Sequence, residues 1–330
     1  MSAFERDPGL VLADRWQRAF PLSKNPFAVV GGAQDLSEGE TITLFERLRA
    51  KGLMDRIGAV VRPNSAGAST LAAISVPPHR LEEIAAIVSA EPFVNHNYER
   101  EHTINLWFVV AAPGLPELSE TLRRIERNTG CNVLDLRLIE PYHIDLGFGL
   151  VSGRAKQPAG CKAMRQATET EKVILAAIQD GLPLVPRPYA AIAQRLGRGE
   201  DEVIATIAGM QNAGILSRFG CVLRHREVGF TANAMAVWDI DDDAVDRVGQ
   251  RMAEDSDVTL CYRRNRVQPF WPYNLFAMIH GRDETAVRAK IASIAKECGP
   301  VSEPHAILFS RRCFTQRGAR FSRMSREQAA

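Results

Sequence analysis

The feature that most constrains this chain is that it repeats itself. In a register that sets Pro21 on Pro183, Leu22 meets Leu184, Pro26 meets Pro188 and Phe27 meets Tyr189. Further along the same register, Gly52, Arg56, Gly58, Arg62 and Gly67 meet Gly214, Arg218, Gly220, Arg224 and Gly229. Short insertions carry the match on, from Val94 and Tyr98 to Val258 and Tyr262, and from Asn105 and Leu106 to Asn274 and Leu275. Two similar halves imply two copies of one folding unit. The total of 330 residues agrees, at roughly 100–200 residues per domain. The halves cover about 1–150 and 168–330. Between them runs a segment rich in glycine and polar residues, from Gly147 to Gly160, which reads as a linker. Its glycines lack the G-x-G-x-x-G spacing of a dinucleotide loop.

Each half divides again. In the second, Thr170–Gln179, Arg187–Leu196 and Glu200–Asn212 have apolar residues at helical spacing, with breaks at Gly197 and Gly214. Three short helices with tight connections predict a helix-turn-helix unit. The period then changes. Strands are expected at Cys221–Leu223, Ala232–Trp238, Val258–Tyr262, Tyr273–His280 and His305–Phe309, and helices at Asp242–Ala253 and Glu284–Glu297. After an entry strand the order is β-α-β-β-α-β, a ferredoxin-like pattern. The first half repeats it, with strands near Ala59–Val61, Leu71–Val76, Val94–Tyr98, Thr103–Val110 and Val133–Ile139 and helices near Arg80–Ser89 and Leu115–Asn128. The expected fold class is α+β, an internal duplication of helix-turn-helix plus ferredoxin-like domain. The expected divisions are 1–57, 58–146, a linker at 147–167, 168–218 and 219–330.

Charge and cysteine usage exclude several classes. Lys and Arg number 41 against 39 Asp and Glu, a formal charge of +2. That is too little for a protein that coats nucleic acid, although net charge hides clustering. No run of about 18 apolar residues predicts a membrane span. Met1–Trp16, with Glu5, Arg6, Asp7, Asp14 and Arg15, lacks the pattern of a signal peptide. Cys131, Cys161, Cys221, Cys261, Cys298 and Cys313 are scattered and form no C-x-x-C pair, which speaks against structural zinc and a disulfide framework. A reduced, cytoplasmic protein without membrane partners is expected.

The architecture resembles the Lrp/AsnC regulators, whose α/β domains pair as dimers; two fused copies would make that dimer within one chain. A recognition helix, however, should bring basic or amide side chains to DNA. The third helix of the second half opens Glu200-Asp201-Glu202, and Gly199–Ser217 contains no Lys or Arg. Its counterpart opens Glu38-Gly39-Glu40. These acids suit a helix N-terminus and repel phosphate, so DNA is not the expected partner.

A narrower resemblance rests on longer motifs. They are Phe20-Pro21-Leu22, the run from Gly52 to Gly67 and Val94-Asn95-His96-Asn97-Tyr98-Glu99-Arg100 in the first half. In the second they are the run from Arg218 to Phe230 and Cys261-Tyr262-Arg263-Arg264. Together these resemble the siroheme decarboxylases, Lrp/AsnC-like enzymes of heme d1 and alternative heme biosynthesis, in their fused form. The resemblance implies loss of two acetate carboxyl groups from siroheme to give 12,18-didecarboxysiroheme and carbon dioxide. It also implies no cofactor of the protein's own, because the iron belongs to the substrate. A Lrp/AsnC-like ligand sensor and a non-catalytic tetrapyrrole-binding protein stay open as alternatives. So do a further homodimer and a complex with other heme d1 pathway proteins.

The residues can be weighed against that chemistry. Siroheme carries eight carboxylates around a flat apolar ring, and its pocket needs fixed cations and an apolar floor. Arginine suits the cation role through its bidentate fork. Arg224, Arg226, Arg263 and Arg264, with Arg266 nearby, lie beside Tyr262, Phe270, Trp271 and Tyr273. The main pocket is therefore expected in the second half. A solvated basic face and a platform for single-stranded nucleic acid would show the same pattern. Decarboxylation also needs a proton donor, a role histidine fills near neutral pH. His225, between Arg224 and Arg226, and His96, which strand alternation puts on one face with Tyr98 and Arg100, are the candidates. His280 ends a strand before Gly281, where packing explains it equally well.

Overall fold

The computed structural model describes residues 7–144, 165–224, 227–298 and 306–320. The linker glycines, His225, Arg226, His305 and Cys161 lie outside the described residues.

Each half opens with three helices. They are α1 (Pro8–Arg15), α2 (Pro26–Gly32) and α3 (Glu38–Ala50) in the first, and α6 (Glu169–Ala177), α7 (Pro188–Leu196) and α8 (Glu200–Asn212) in the second. Capping boxes start two of them: Ser37 with Glu40 on α3, and Thr168 with Glu171 on α6. The two trios do not stand apart. They share one apolar core that includes Phe20, Phe27, Phe45, Ile174, Tyr189, Ile207 and Phe219. The Tyr189 hydroxyl donates to the carbonyl of Pro21 at 2.9 Å across the halves. The acids that open α8 are engaged within this unit, with Asp201 on Lys24 at 3.1 Å, Glu200 on Arg187 and Glu202 on Arg198.

The strands that follow, β1 (Met54–Val61) and β6 (Leu216–Leu223), are longer than expected. They also do not join the ferredoxin-like sheets. They pair antiparallel with each other as a separate two-stranded ribbon, Ile57 opposite Cys221 and Ala59 opposite Phe219. The divisions expected at 57/58 and 218/219 therefore fall inside strands.

The other eight strands close into one barrel. The first half gives β2 (Ala68–Ile74), β3 (Val94–Arg100), β4 (Leu106–Ala112) and β5 (Leu134–Ile144), with helices α4 (Leu81–Ala90) and α5 (Leu115–Thr129). The second gives β7 (Ala232–Trp238), β8 (Val258–Arg264), β9 (Leu275–Gly281) and β10 (Ala306–Gln316), with α9 (Val245–Ala253) and α10 (Glu284–Glu297). The order around the barrel is β10-β3-β4-β2-β5-β8-β9-β7. Closure depends on two long strands that each serve both halves. Leu134–Arg137 of β5 pairs with β2, and Leu138–Ile144 pairs with β8. Likewise Ala306–Phe309 of β10 pairs with β7, and Ser310–Gln316 with β3. Pro141 lies in β5 beside a register shift, a place where a strand tolerates proline.

Strand alternation then sorts side chains to two faces. On β9, Leu275, Ala277 and Ile279 face the helices, while Phe276 and Met278 point inward. On β4, Leu106, Phe108 and Val110 pack outward and Trp107 inward. Within the barrel Trp107, Trp271, Phe276, Leu136 and Leu308 form an apolar floor. Trp107 and Trp271 meet edge to face at 4.9 Å. Among the described residues no helix is long and apolar enough to cross a membrane.

One contact locks the halves together. Tyr142 of β5 lies on α9, its hydroxyl 2.5 Å from Asp246, and a Cβ at Gly249 would fall 2.1 Å from its ring. Gly249→Ala should therefore cost about 1–3 kcal/mol, the usual range for overpacking a tight contact. Thermal melting checks this, and a midpoint equal to wild type would contradict it.

Candidate active site

The β1/β6 ribbon lies across the open side of the barrel. Together they enclose a cavity of about 330 Å³ lined by both halves. The main pocket was expected in the second half, whereas this cavity is shared by both. Its apolar wall includes Leu71, Trp107, Val109, Met235, Leu260 and Met278. Its charged lining is one-sided, with Arg56, Arg100, Arg218, Arg264 and Arg317 against a single carboxylate, Asp55.

Two matching pairs come from equivalent strands. On β3, His96, Tyr98 and Arg100 all line the cavity, as their spacing of two predicts. On β8 the counterparts are Leu260, Tyr262 and Arg264. The Arg264 guanidinium sits 4.5 Å from the Tyr262 ring centre, and that of Arg100 sits 5.9 Å from Tyr98. Each arginine is anchored by a carbonyl of the long strand beside it: Arg100 donates to Leu308 at 3.0 Å, and Arg264 to Leu136 at 2.6 Å. Neither has a carboxylate partner among the described residues. Burial lowers the pKa of both, Arg100 to about 10, and a guanidinium keeps its charge in proteins. The β1/β6 ribbon adds a third pair, Arg56 and Arg218. Arg218 donates to the carbonyls of Gln17 at 2.7 Å and Cys221 at 3.1 Å.

Other expected residues go elsewhere. Arg263 follows Tyr262 on the same strand, so alternation turns it outward, where it pairs with Asp242 at 2.9 Å and Asp246 at 3.5 Å. Arg266 pairs with Asp239 and Asp242. The acidic run 239–243 thus holds part of the arginine cluster on the outer surface. Arg224 is half exposed, 3.6 Å from Asp55, and does not line the cavity. Tyr273 lies behind the floor, edge to face on Trp271 at 4.8 Å. Arg226 and His225 lie outside the described residues.

Two histidines reach the cavity. His96 stacks on Tyr98 with ring centres 6.2 Å apart. It keeps some exposed surface toward the cavity, but dense protein surrounds it. Desolvation first, and the Arg56 cation second, push its pKa down to about 4, with Asp55 opposing. His280 of β9, for which packing and catalysis are equally good explanations from the sequence, also lines the cavity. Its Nδ1 is 2.9 Å from the Thr259 hydroxyl, which donates to the Met278 carbonyl at 2.9 Å. Thr259 therefore accepts from His280, which fixes the Nδ1–H tautomer.

An AsnC-like ligand binding domain matches residues 66–143 and 227–315. A siroheme decarboxylase NirDL-like HTH domain matches residues 12–54 and 171–216. The siroheme decarboxylase NirDL subunit of Paracoccus denitrificans is 46% identical over 318 residues, 95% of this chain and 97% of that one. The chain belongs to the siroheme decarboxylase NirDL family. The siroheme decarboxylase of Hydrogenobacter thermophilus is 35% identical over 303 residues, 90% of each chain. A crystal structure of the siroheme decarboxylase NirDL in co-complex with an iron-uroporphyrin III analogue superposes with a TM-score of 0.65 at 30% identity, covering 98% of this chain and 96% of that one. The Lrp/AsnC-like architecture expected from the repeat is that of the family.

Sequence reasoning passed over Arg56, Arg218, Asp55 and His280. For the first two a signal existed, since they coincide in the repeat register as arginines. The low pKa of His96 has a measurable consequence. The unfolded chain takes up a proton near pH 6.5 and the folded one resists until about 4. This histidine therefore erodes stability as pH falls across that window. An NMR titration should place the His96 midpoint near 4, and Arg56→Gln should raise it by removing the nearby cation. A midpoint near 6.5 in the wild type would contradict this environment.

Proposed function

We propose that this chain is a siroheme decarboxylase, a cytoplasmic carboxy-lyase of heme d1 biosynthesis. It removes two acetate carboxyl groups from siroheme to give 12,18-didecarboxysiroheme and carbon dioxide. The observation that carries this reading is the lining of the cavity: five arginines and one aspartate around an apolar wall. A flat apolar ring bearing eight carboxylates is the matching ligand. The iron arrives with the substrate, and no cofactor of the protein's own enters the reading.

The chain's residues have three tasks. Arg100 and Arg264, set on equivalent strands, hold peripheral carboxylates in fixed directions. Tyr98, Tyr262 and Trp107 give the ring an aromatic and apolar surface. A proton must then reach the side-chain carbon that carbon dioxide leaves, while the macrocycle takes up the developing charge. His96 is the proposed donor. It is neutral in the ligand-free protein, and bound carboxylates favour its charged form, so it is loaded when substrate arrives. His280, fixed as the Nδ1–H tautomer, is a second proton carrier on a strand from the other half.

Anaerobic incubation with siroheme, with products read by mass, should show loss of two carboxyl groups. Siroheme that binds and emerges unchanged would reduce the chain to a binding protein. His96→Ala should slow turnover by roughly 100- to 10,000-fold, the usual worth of a general acid, with a much smaller effect on affinity. Arg264→Gln should weaken siroheme binding by about tenfold or more, since a charge-assisted bond is worth about 1.5–3 kcal/mol. Arg263→Gln, on the outer surface, should change it less than about twofold. Equal effects of these two arginine substitutions would refute the proposed orientation of the site.

A further inference from the structure

Asp55 is the one carboxylate in a lining with five arginines. Electrostatics alone would disfavour it beside a polyanionic ligand, so its partners matter. One oxygen, Oδ2, accepts from Nη1 of Arg56. The other, Oδ1, is 3.6 Å from Nη2 of Arg224. Asp55 thus bridges a cation inside the cavity and one at its margin. The Asp55 and Arg56 side chains are 17% and 13% exposed, while that of Arg224 is 45% exposed. Among the described residues, apart from Asp55, Arg56 has only a long bond to the Ala59 carbonyl at 3.4 Å, and its buried Nε has no hydrogen-bond partner.

The other half does this differently. In the repeat register Asp55 corresponds to Ser217 and Arg56 to Arg218. Ser217 donates to the Val60 carbonyl at 3.0 Å and gives its neighbour no counter-charge. Arg218 is instead held by two fixed backbone carbonyls. One arginine of the pair is built in. The other is held by an anion that a ligand carboxylate can replace.

We infer that Asp55 is a place-holding anion for Arg56, displaced onto Arg224 when a substrate carboxylate takes its position on the guanidinium. The inference rests on the siroheme reading given above. Arg100, Arg218 and Arg264 are held by short bonds to backbone carbonyls. Among the described residues Arg56 has only the long one to Ala59, so in the ligand-free cavity its guanidinium depends on this anion. Arg224 gives the displaced carboxylate a partner, so the exchange strands no charge. The exchange makes Asp55 an internal competitor that limits affinity for the substrate. It also helps eject a product that has fewer carboxylates with which to compete. Asp55 is therefore a positioning residue acting through Arg56.

The test is an anaerobic spectrophotometric titration of siroheme into the full chain. Asp55→Asn should bind siroheme about tenfold more tightly than wild type, and Asp55→Ser, which copies Ser217, should do the same. A residue with a merely structural role would weaken binding when replaced. In an Arg56→Gln background the gain from Asp55→Asn should shrink below about twofold, because the competitor then has nothing to compete for. Equal or weaker binding by both Asp55 variants, with melting unchanged, would overturn the inference. So would a gain that persists without Arg56, which would mark a general field effect. A wild-type chain that does not bind siroheme at all would overturn the siroheme reading, and this inference with it.

Discussion

The structure depends on two strands that belong to both halves at once. A ferredoxin-like sheet standing alone has two open edges, each a row of unpaired backbone groups. Here β5 spends its first residues on β2 and its last on β8, and β10 does the converse between β7 and β3. The edges vanish and two sheets become one barrel. Everything functional follows from that closure. It creates an interior, places equivalent strands of the two halves around it, and supplies the carbonyls of Leu136 and Leu308 that orient Arg264 and Arg100.

That interior has a particular electrostatic balance. Buried cations are usually neutralised by carboxylates. This cavity satisfies several arginines with backbone carbonyls, which hold a guanidinium in place without cancelling its charge. The positive field remains available to a polyanion. The apolar wall excludes competing water and strengthens that field. The same surroundings keep His96 neutral while the site holds no ligand.

The helix-turn-helix units have a different task from the one their shape suggests. In the second unit the acids that open α8 are tied up in ion pairs, and in the first Glu40 closes a capping box with Ser37. The two units merge into one apolar core. The ribbon they extend carries Asp55, Arg56 and Arg218 to the cavity. A helix-turn-helix module here helps to roof the cavity.

Much of this was legible in the sequence. The repeat announced two copies of one unit, and α8 and α10 fall where their periodicity set them. The alternation of His96, Tyr98 and Arg100 placed three side chains on one face because a strand has a period of two. The sequence was silent where polarity served the cavity instead of the core. Asp55 and Arg56 interrupt the apolar run of β1, so the strand was expected only from Ala59. The charged end of β10 hid a strand segment that pairs with β3, where Arg312 meets Glu99 of that strand and Glu82 of α4. Arg263 and Arg264 are neighbours in the chain and were grouped together, yet the pleat sends one to an ion pair with Asp242 and Asp246 outside the barrel and the other to the cavity. The amino acids alone determined the duplicated fold, the family and the kind of charge available. Only the tertiary structure decided which charges meet, because that depends on a barrel closing across both halves, and pairings so distant in sequence leave no local pattern.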